Sequence, residues 1–242
     1  RRCCASGSAR CSRRDLAVIA SLSRHALLRI APFALFMLLL ALRGFAADGA
    51  WGFDERWLYG ASTVSVAALL IAWRREYGEL YRPLWPDARE FALALGAGVA
   101  VLLLWINLDA PWMRLGGATA GFRPVDAQGQ LIWPLVALRW AGAALVVPVM
   151  EELFWRSFLM RWIDSPRFEL VPPQRVTLRA IALSTFVFML AHTLWLAAIA
   201  AGLVYAWLYV RTGKLWVAVI AHAVTNTLLG AWVIATGNWG YW

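Results

Sequence analysis

The side chains of this sequence that could do chemistry are few, and they stand in strongly apolar segments. The stretch VVPVMEELFWRSFLM contains two adjacent glutamates, Glu151 and Glu152, followed by Arg156. A charge at the centre of a membrane helix costs about 2.5–3.5 kcal/mol on insertion scales, so such residues are candidates for function. A carboxylate shielded from water also suits proton abstraction, because burial raises its pKa towards neutrality.

Three further polar side chains follow in later apolar segments. Phe188 and His192 lie four residues apart in FVFMLAH, and His222 and Asn226 do so in HAVTN. A separation of four places two side chains on one face of a helix. The same spacing, with the acid first, favours an ion pair between the second glutamate and Arg156, whereas the first glutamate is rotated by about 100°. The simplest arrangement brings three helices to one polar pocket.

Simpler interpretations of these residues also stand. EELFWR fits a surface helix with a structural ion pair, and a buried histidine or asparagine often hydrogen-bonds a neighbouring helix. Arg139 lies in another apolar segment, where it can snorkel to the membrane surface or pair with a carboxylate elsewhere. A functional cluster is favoured because the few polar groups share paired helical spacing. For Arg139, a direct role is not favoured.

The composition is typical of a membrane protein. Of the 242 residues, 62% are hydrophobic and 15% are charged, against about 25% charged in soluble domains. The net charge of +9 comes from arginines that cluster between apolar runs. This pattern indicates membrane topology, and we expect no nucleic-acid partner. All three cysteines lie in the first eleven residues, which leaves none for a disulfide or a nucleophile in the apolar body.

Apolar runs predict the membrane spans, since about 20 helical residues cross a bilayer. They indicate an all-α integral membrane protein, a polytopic helical bundle of about 7–8 transmembrane helices with an intramembrane polar cavity. The predicted spans are Leu27–Leu42, Trp57–Trp73, Phe91–Leu108, Leu131–Met150, Ala180–Trp195, Leu196–Val210 and Leu215–Ile234.

The segment Glu151–Arg179 separates the fourth and fifth predicted spans. It predicts an amphipathic or half-inserted helix followed by a loop, which the prolines at 172 and 173 keep from being helical. In this topology Glu151 stands at the inner end of its span, whereas His192 lies ~18 Å deep in another. We therefore expect Glu151 to begin a helix that re-enters the membrane after a break at Pro148.

The basic residues predict an orientation. With the N-terminus inside, the inner segments hold 18 of the 23 Lys and Arg residues, which favours a cytoplasmic N-terminus. Residues 1–25 are a basic tail that we expect to be disordered, or sequence upstream of the true start. Residues 26–130 contribute the N-terminal transmembrane helices, and residues 131–242 form the core that carries the motifs. The excess of arginine over lysine indicates a bacterial genome, and hence the bacterial inner membrane.

Three motifs, EExxxR, FxxxH and HxxxN, occur in this order on successive apolar segments. They resemble those of the CPBP family, the CAAX-protease and bacteriocin-processing intramembrane proteins, over roughly Leu131–Ile234. The resemblance implies an intramembrane glutamate endopeptidase that needs no metal or other cofactor. It also implies Glu151 as the general base, aided by His192, with His222 and Asn226 as donors to the oxyanion.

The resemblance further implies supporting and biological roles. Glu152 and Arg156 would hold the helix and orient the catalytic glutamate. The stretch VVPVMEELFWRSFLMRW is similar to a bacterial subgroup found with exosortase sorting systems, which implies such a system as a partner. The expected substrate is a membrane-associated protein or peptide, met in the lipid bilayer near the inner leaflet.

Other chemistries are weaker matches. The sequence has neither the HExxH motif of zinc proteases nor the GxSxG motif of serine hydrolases. Two histidines and two glutamates could still bind zinc, although asparagine is a poor zinc ligand. Outside proteolysis, the same fold could serve as a scaffold, an immunity factor or a sorting-system partner. A transporter with a proton relay is less favoured, because no inverted repeat is evident.

Overall fold

The computed structural model describes residues 22–45, 52–116 and 121–242. These residues form seven long helices without a β-sheet, which confirms the predicted all-α polytopic membrane protein. Five of the helices are long and apolar enough to cross a membrane, and the second and fifth are shorter. Most of the predicted basic tail, residues 1–21, lies outside the described residues. The helices are α1 (Arg24–Phe45), α2 (Trp57–Ala72), α3 (Ala88–Asn107), α4 (Trp133–Trp162), α5 (Leu178–Leu190), α6 (Trp195–Thr212) and α7 (Leu215–Thr236).

Successive helices run in opposite directions, so the connecting segments meet at two ends of the bundle. The near end holds the start of α1 and residues 73–87, and there Arg24 forms an ion pair with Glu76 at 2.8 Å. The far end holds the start of α4 and residues 237–242, and there the Phe122 N–H donates to the Trp242 carbonyl at 3.0 Å. In the predicted orientation, the near end would be cytoplasmic.

Local signals fix several helix boundaries. The Asp87 side chain accepts from the first turn of α3 while the Glu90 side chain accepts from the Asp87 N–H, which is a capping box. The Thr177 side chain caps the start of α5. Gly213 ends α6 with a φ of +70°, a conformation that favours glycine.

The fourth helix corrects the predicted topology. α4 is one helix of 30 residues that continues through Glu151 to Trp162, so the predicted break at Pro148 and the re-entrant helix are wrong. Proline lacks an N–H and clashes with the carbonyl four residues earlier. Here a π-helical turn, Gly142–Val146, ends two residues before the proline, and the Val147 N–H bonds to the Gly142 carbonyl. This shift to i→i−5 bonding accommodates the proline inside the helix.

The longer α4 also places two predicted site residues at similar depth. Glu151 lies eleven residues before the end of α4 at Trp162, a rise of ~16 Å. His192 lies fourteen residues beyond the start of α5 at Leu178, or ~21 Å along the same direction. The predicted mismatch in depth therefore came from ending the fourth span at Met150, twelve residues too early.

A close approach of two helices fixes the position of the histidine-bearing helix α7. A Cβ atom at Gly98 of α3 would lie 2.5 Å from the Ala221 carbonyl oxygen, so only glycine fits. The Thr225 hydroxyl donates to the Gly98 carbonyl at 2.9 Å. Small residues and cross-helix hydrogen bonds of this kind are how helices associate in lipid. They hold α7 against α3 and set the height of His222.

A buried charge cluster ties α1 and α4 together at the near end. Arg29 donates to both carboxylate oxygens of Glu79, at 2.8 and 2.6 Å. The Ser157 hydroxyl hydrogen-bonds the same carboxylate and accepts from Arg161 at 2.8 Å. The Arg29 side chain is only 5% exposed and that of Glu79 11%. The two cations share one buried counter-charge.

Glu79→Gln is expected to lower the free energy of unfolding by about 1–3 kcal/mol at neutral pH, because Arg29 and Arg161 lose that counter-charge. Burial raises the pKa of Glu79, but the hydrogen bond and charge of Arg29, with Ser157, hold it below its ordinary 4.5. The contribution is therefore fully present above pH 4.5 and is lost as the pH falls through the lowered value.

Melting temperatures of the wild type and the variant between pH 7 and 3 test this expectation. The gap between them should close at the acidic end. Glu169→Gln removes an exposed glutamate from the same end and should leave the melting temperature nearly unchanged. A gap for Glu79→Gln that does not vary with pH would contradict the assignment.

Candidate active site

Four of the predicted site residues line two adjoining cavities in the interior of the bundle. Glu151 and His192 line a cavity of about 520 Å³. His192, His222 and Asn226 line a smaller one of about 170 Å³. The two cavities share several walls: Trp105, Arg139, Ala143, His192, Tyr241 and Trp242. The structure thus brings together side chains from α4, α7 and the turn after α5.

The adjacent glutamates have different surroundings. The Glu152 side chain is fully buried, and its Oε1 lies 2.9 Å from His222 Nδ1. Its Oε2 lies 3.2 Å from Arg156 Nε, an ion pair that lacks hydrogen-bond geometry. Glu151 is half-buried, and its Oε2 is buried with no hydrogen-bond partner in the described part of the chain. One glutamate is therefore committed to a cation and a histidine, and the other keeps an unpartnered oxygen.

Arg156 joins three helices behind the cavities. Its guanidinium carbon lies 4.6 Å from the ring centre of Phe188 on α5 and 5.5 Å from that of Tyr205 on α6. Its Nη2 donates to the Gly202 carbonyl at 3.3 Å. Cations over aromatic faces are stabilised, most when water is excluded. The arginine thereby holds Glu152 and the π-helical turn Leu153–Leu159 in place.

His222 is oriented from two sides. Its ring stacks on Tyr205 with centroids 4.9 Å apart and planes 17° apart. The Tyr205 hydroxyl donates to Thr225 Oγ1 at 2.8 Å, which holds the tyrosine ring. Because Nδ1 is the atom that faces Glu152, Nε2 is the ring nitrogen left for a group in the cavity.

His192 lies two residues beyond the end of α5, so the predicted span to Trp195 is too long. Its ring packs at 4.3 Å from the Phe188 ring and edge-on to Trp105 at 5.6 Å. Nδ1 lies 2.8 Å from the Phe188 carbonyl oxygen. A carbonyl only accepts, so Nδ1 carries the proton and the neutral ring has its lone pair on Nε2. The ring can therefore accept a proton at that nitrogen.

Asn226 contacts the irregular part of α4. Its Nδ2 donates to the Ala143 carbonyl at 2.8 Å. Ala143 lies in the π-helical turn Gly142–Val146, whose wider hydrogen-bonding pattern allows a side chain to bind its carbonyl. An amide nitrogen has two hydrogens, so one remains for another acceptor. The turn that accommodates Pro148 thus also positions Asn226.

The sequence motifs did not predict several residues of the site. Tyr205 stacks on His222 and Trp105 packs edge-on against His192, and no sequence signal separates either residue from the other aromatic residues of its helix. Arg139, for which a structural role was favoured, lines both cavities, and its guanidinium carbon lies 4.4 Å from the Tyr59 ring centre. Because ring stacking depends on contacts between helices, spacing along one helix does not reveal it.

The donor set of the site suits acid–base chemistry. A carboxylate with a free oxygen and an imidazole with a free lone pair share one cavity, while a second imidazole and an amide face the adjoining one. Within residues 22–45, 52–116 and 121–242, no three His, Cys, Asp or Glu side chains are grouped closely enough to hold a metal ion. The arrangement can deprotonate a water molecule and donate hydrogen bonds to a developing anion.

Comparison with known families gives a match in this region. Residues 133–228 match the model of a family described as Rce1-like, type II CAAX prenyl endopeptidase Rce1-like. The match runs from α4 into α7 and includes all six predicted site residues, which confirms the resemblance inferred from the motifs. It supports a CAAX-type intramembrane endopeptidase as the general class of the protein. The exosortase-associated subgroup stays a prediction. No curated protein and no solved structure matches the chain.

Proposed function

We propose that this protein hydrolyses a peptide bond of a membrane-associated protein or peptide with a water molecule activated by Glu151 and His192. The observation that carries the proposal is the difference between the surroundings of the two glutamates. Glu152 is held by Arg156 and His222, while Glu151 keeps an unpartnered buried oxygen beside His192 in one cavity. A structural ion pair alone would not require the second carboxylate.

In the proposed reaction, the carboxylate of Glu151 takes a proton from water as the water oxygen attacks the carbonyl carbon. The lone pair of His192 Nε2 accepts a hydrogen bond from the same water and orients it. When the carbon–nitrogen bond breaks, Glu151 returns the proton to the leaving amine. This exchange needs no group other than water and the peptide, and the mechanism is metal-independent.

The negative charge on the tetrahedral intermediate needs donors. In our proposal His222, carrying a proton on Nε2, and the second amide hydrogen of Asn226 supply them. Glu152 Oε1, 2.9 Å from Nδ1, is the acceptor for the other ring N–H and holds the ring in this orientation. Losing one such donor typically lowers the rate about 10²–10³-fold.

The proposed substrate enters from the far end. Besides residues 139–151 of α4 and the turn after α5, the larger cavity is lined by the later turns of α1, the end of α3, the start of α2 and residues 240–242. If the protein lies in a bacterial inner membrane with a cytoplasmic N-terminus, this is the outer face. The peptide would then reach inward to Glu151, which lies ~16 Å from the near end of α4, and a substrate near the inner leaflet stays a prediction.

Cleavage of a membrane-anchored reporter library by purified protein tests the proposal. We expect cleavage that persists in a chelator and that falls about 10²–10³-fold in His192→Ala, since the water loses its acceptor. His25→Ala is the matched control, because His25 is exposed at the near end. Loss of cleavage in the chelator would favour a metal mechanism. A folded wild type that cleaves nothing in the library would favour the scaffold.

A further inference from the structure

Two arginines line the larger cavity between its mouth and Glu151. Arg139 on α4 lies over the ring of Tyr59, with Trp242 at 5.8 Å, and its Nε is buried without a hydrogen-bond partner. Arg43 on α1 lines the same cavity, with its guanidinium carbon 5.1 Å from the Phe122 ring centre. Both cations are turned towards aromatic rings and the cavity, an arrangement different from snorkelling into lipid headgroups.

Neither of these partly buried arginines has a carboxylate partner within 4 Å in the part of the chain that the structure describes, whereas the fully buried arginines do. Arg29, Arg156 and Arg161 each lie within 4 Å of a glutamate. The two like charges repel each other, Glu55 acts on Arg43 only from beyond ion-pair distance, and removing a cation from water without a paired carboxylate is costly. Cation–π contacts offset part of this cost. An arrangement of this kind suits a ligand that brings its own negative charge.

The position of the arginines indicates where that charge would lie. Arg139 precedes Glu151 by twelve residues on α4, a rise of ~18 Å. An extended peptide spans about 3.3–3.6 Å per residue. A group bound at Arg139 would therefore stand about four to six residues from a peptide bond at Glu151.

We propose that Arg139 and Arg43 bind a carboxylate of the substrate peptide, about four to six residues from the cleaved bond. The guanidinium fork matches a carboxylate in two parallel hydrogen bonds, which a neutral side chain does not provide. The carboxylate is that of an aspartate or glutamate side chain, or that of the peptide's C-terminus. The inference takes from the proposed function that the ligand is the substrate.

Peptide binding tests this inference separately from cleavage. Three fluorescent apolar octapeptides differ only at the last residue, which is glutamate with an amidated C-terminus, glutamine with a free C-terminus, or glutamine with an amidated C-terminus. Their dissociation constants are measured by fluorescence anisotropy with the full chain in detergent, in the Glu151→Gln background so that no probe is cut. At least one carboxylate peptide should bind about 10- to 100-fold more tightly than the neutral one.

Arginine variants locate the effect. Arg139→Met should abolish the preference for carboxylate and Arg43→Met should reduce it, whereas Arg139→Lys keeps a charge without the fork and should retain a small part. Arg123→Met is the matched control, because Arg123 is exposed at the same end and does not line the cavity. If Arg139→Met does not fold, the preference for carboxylate is compared in Arg43→Met and Arg139→Lys instead.

The outcomes separate the two proposals. Preference for the glutamate peptide identifies a side-chain carboxylate, and preference for the free terminus identifies a C-terminal one. Equal binding of all three peptides, no binding of any, or an equal loss in Arg123→Met overturns the inference. Cleavage without a carboxylate preference leaves the proposed function and removes the inference. A carboxylate preference in a protein that cleaves nothing keeps the binding site and removes the proposed reaction.

Discussion

Glu151→Gln is expected to lower the cleavage rate of the reporter about 10²–10⁴-fold, the usual contribution of a general base, while the protein stays as stable as the wild type. Glutamine has nearly the same shape as glutamate but cannot take a proton from water. Because Glu151 Oε2 has no hydrogen-bond partner, the substitution removes no contact that holds the fold. We expect the melting temperature to be unchanged or slightly higher, since a charged oxygen that is buried without a partner is removed.

The control for this prediction is Asp126→Asn. Asp126 is exposed at the far end and does not line the cavity, so its loss changes the charge of the protein by the same amount. Cleavage rates and melting temperatures of the two variants and the wild type are compared in one detergent. A Glu151→Gln protein that cleaves at the wild-type rate would remove the base from the mechanism. A large fall in its melting temperature would instead give Glu151 a structural role.

The local part of the site could be predicted from sequence. The spacing in EExxxR predicts that Glu152 and Arg156 share a helix face, and their side chains lie 3.2 Å apart. The spacing in HAVTN likewise predicts that His222 and Asn226 share a face, and both line the smaller cavity. These predictions depend only on the period of a helix, which a single sequence reveals. The apolar runs predicted the helical membrane fold for the same reason.

The long-range part of the site could not be predicted in the same way. Glu152 and His222 are 70 residues apart, and no local pattern indicates that the second glutamate rather than the first contacts a histidine. Pro148 is a reliable sign of a helix break in an ordinary α-helix. The π-helical turn before it, which keeps α4 continuous, depends on packing against α7, where Asn226 binds the Ala143 carbonyl.

Glu152→Gln is expected to lower the free energy of unfolding by about 3–5 kcal/mol, the usual consequence of removing one partner of a buried ion pair. The Arg156 side chain is 3% exposed and has Glu152 as its carboxylate partner. At the same time His222 faces a neutral amide in place of a carboxylate. The free energy is measured by unfolding the detergent-solubilised protein in a denaturant series. Glu169→Gln, at an exposed site, should stay within about 0.5 kcal/mol of the wild type.

Adding Arg156→Met to Glu152→Gln separates the ion pair from the rest of the network. Methionine is long, apolar and adaptable, so it can fill the space against the rings of Phe188 and Tyr205. With no cation left unpaired, the double variant should be more stable than Glu152→Gln alone, because an apolar replacement of a buried pair is often neutral. Effects that simply add would show that the two residues act independently.

Cleavage should stay low even where stability recovers, since the double variant still lacks the carboxylate that holds His222. Stability would then recover in the double variant while the cleavage rate would not, as expected if Glu152 orients the site and Glu151 carries out its chemistry.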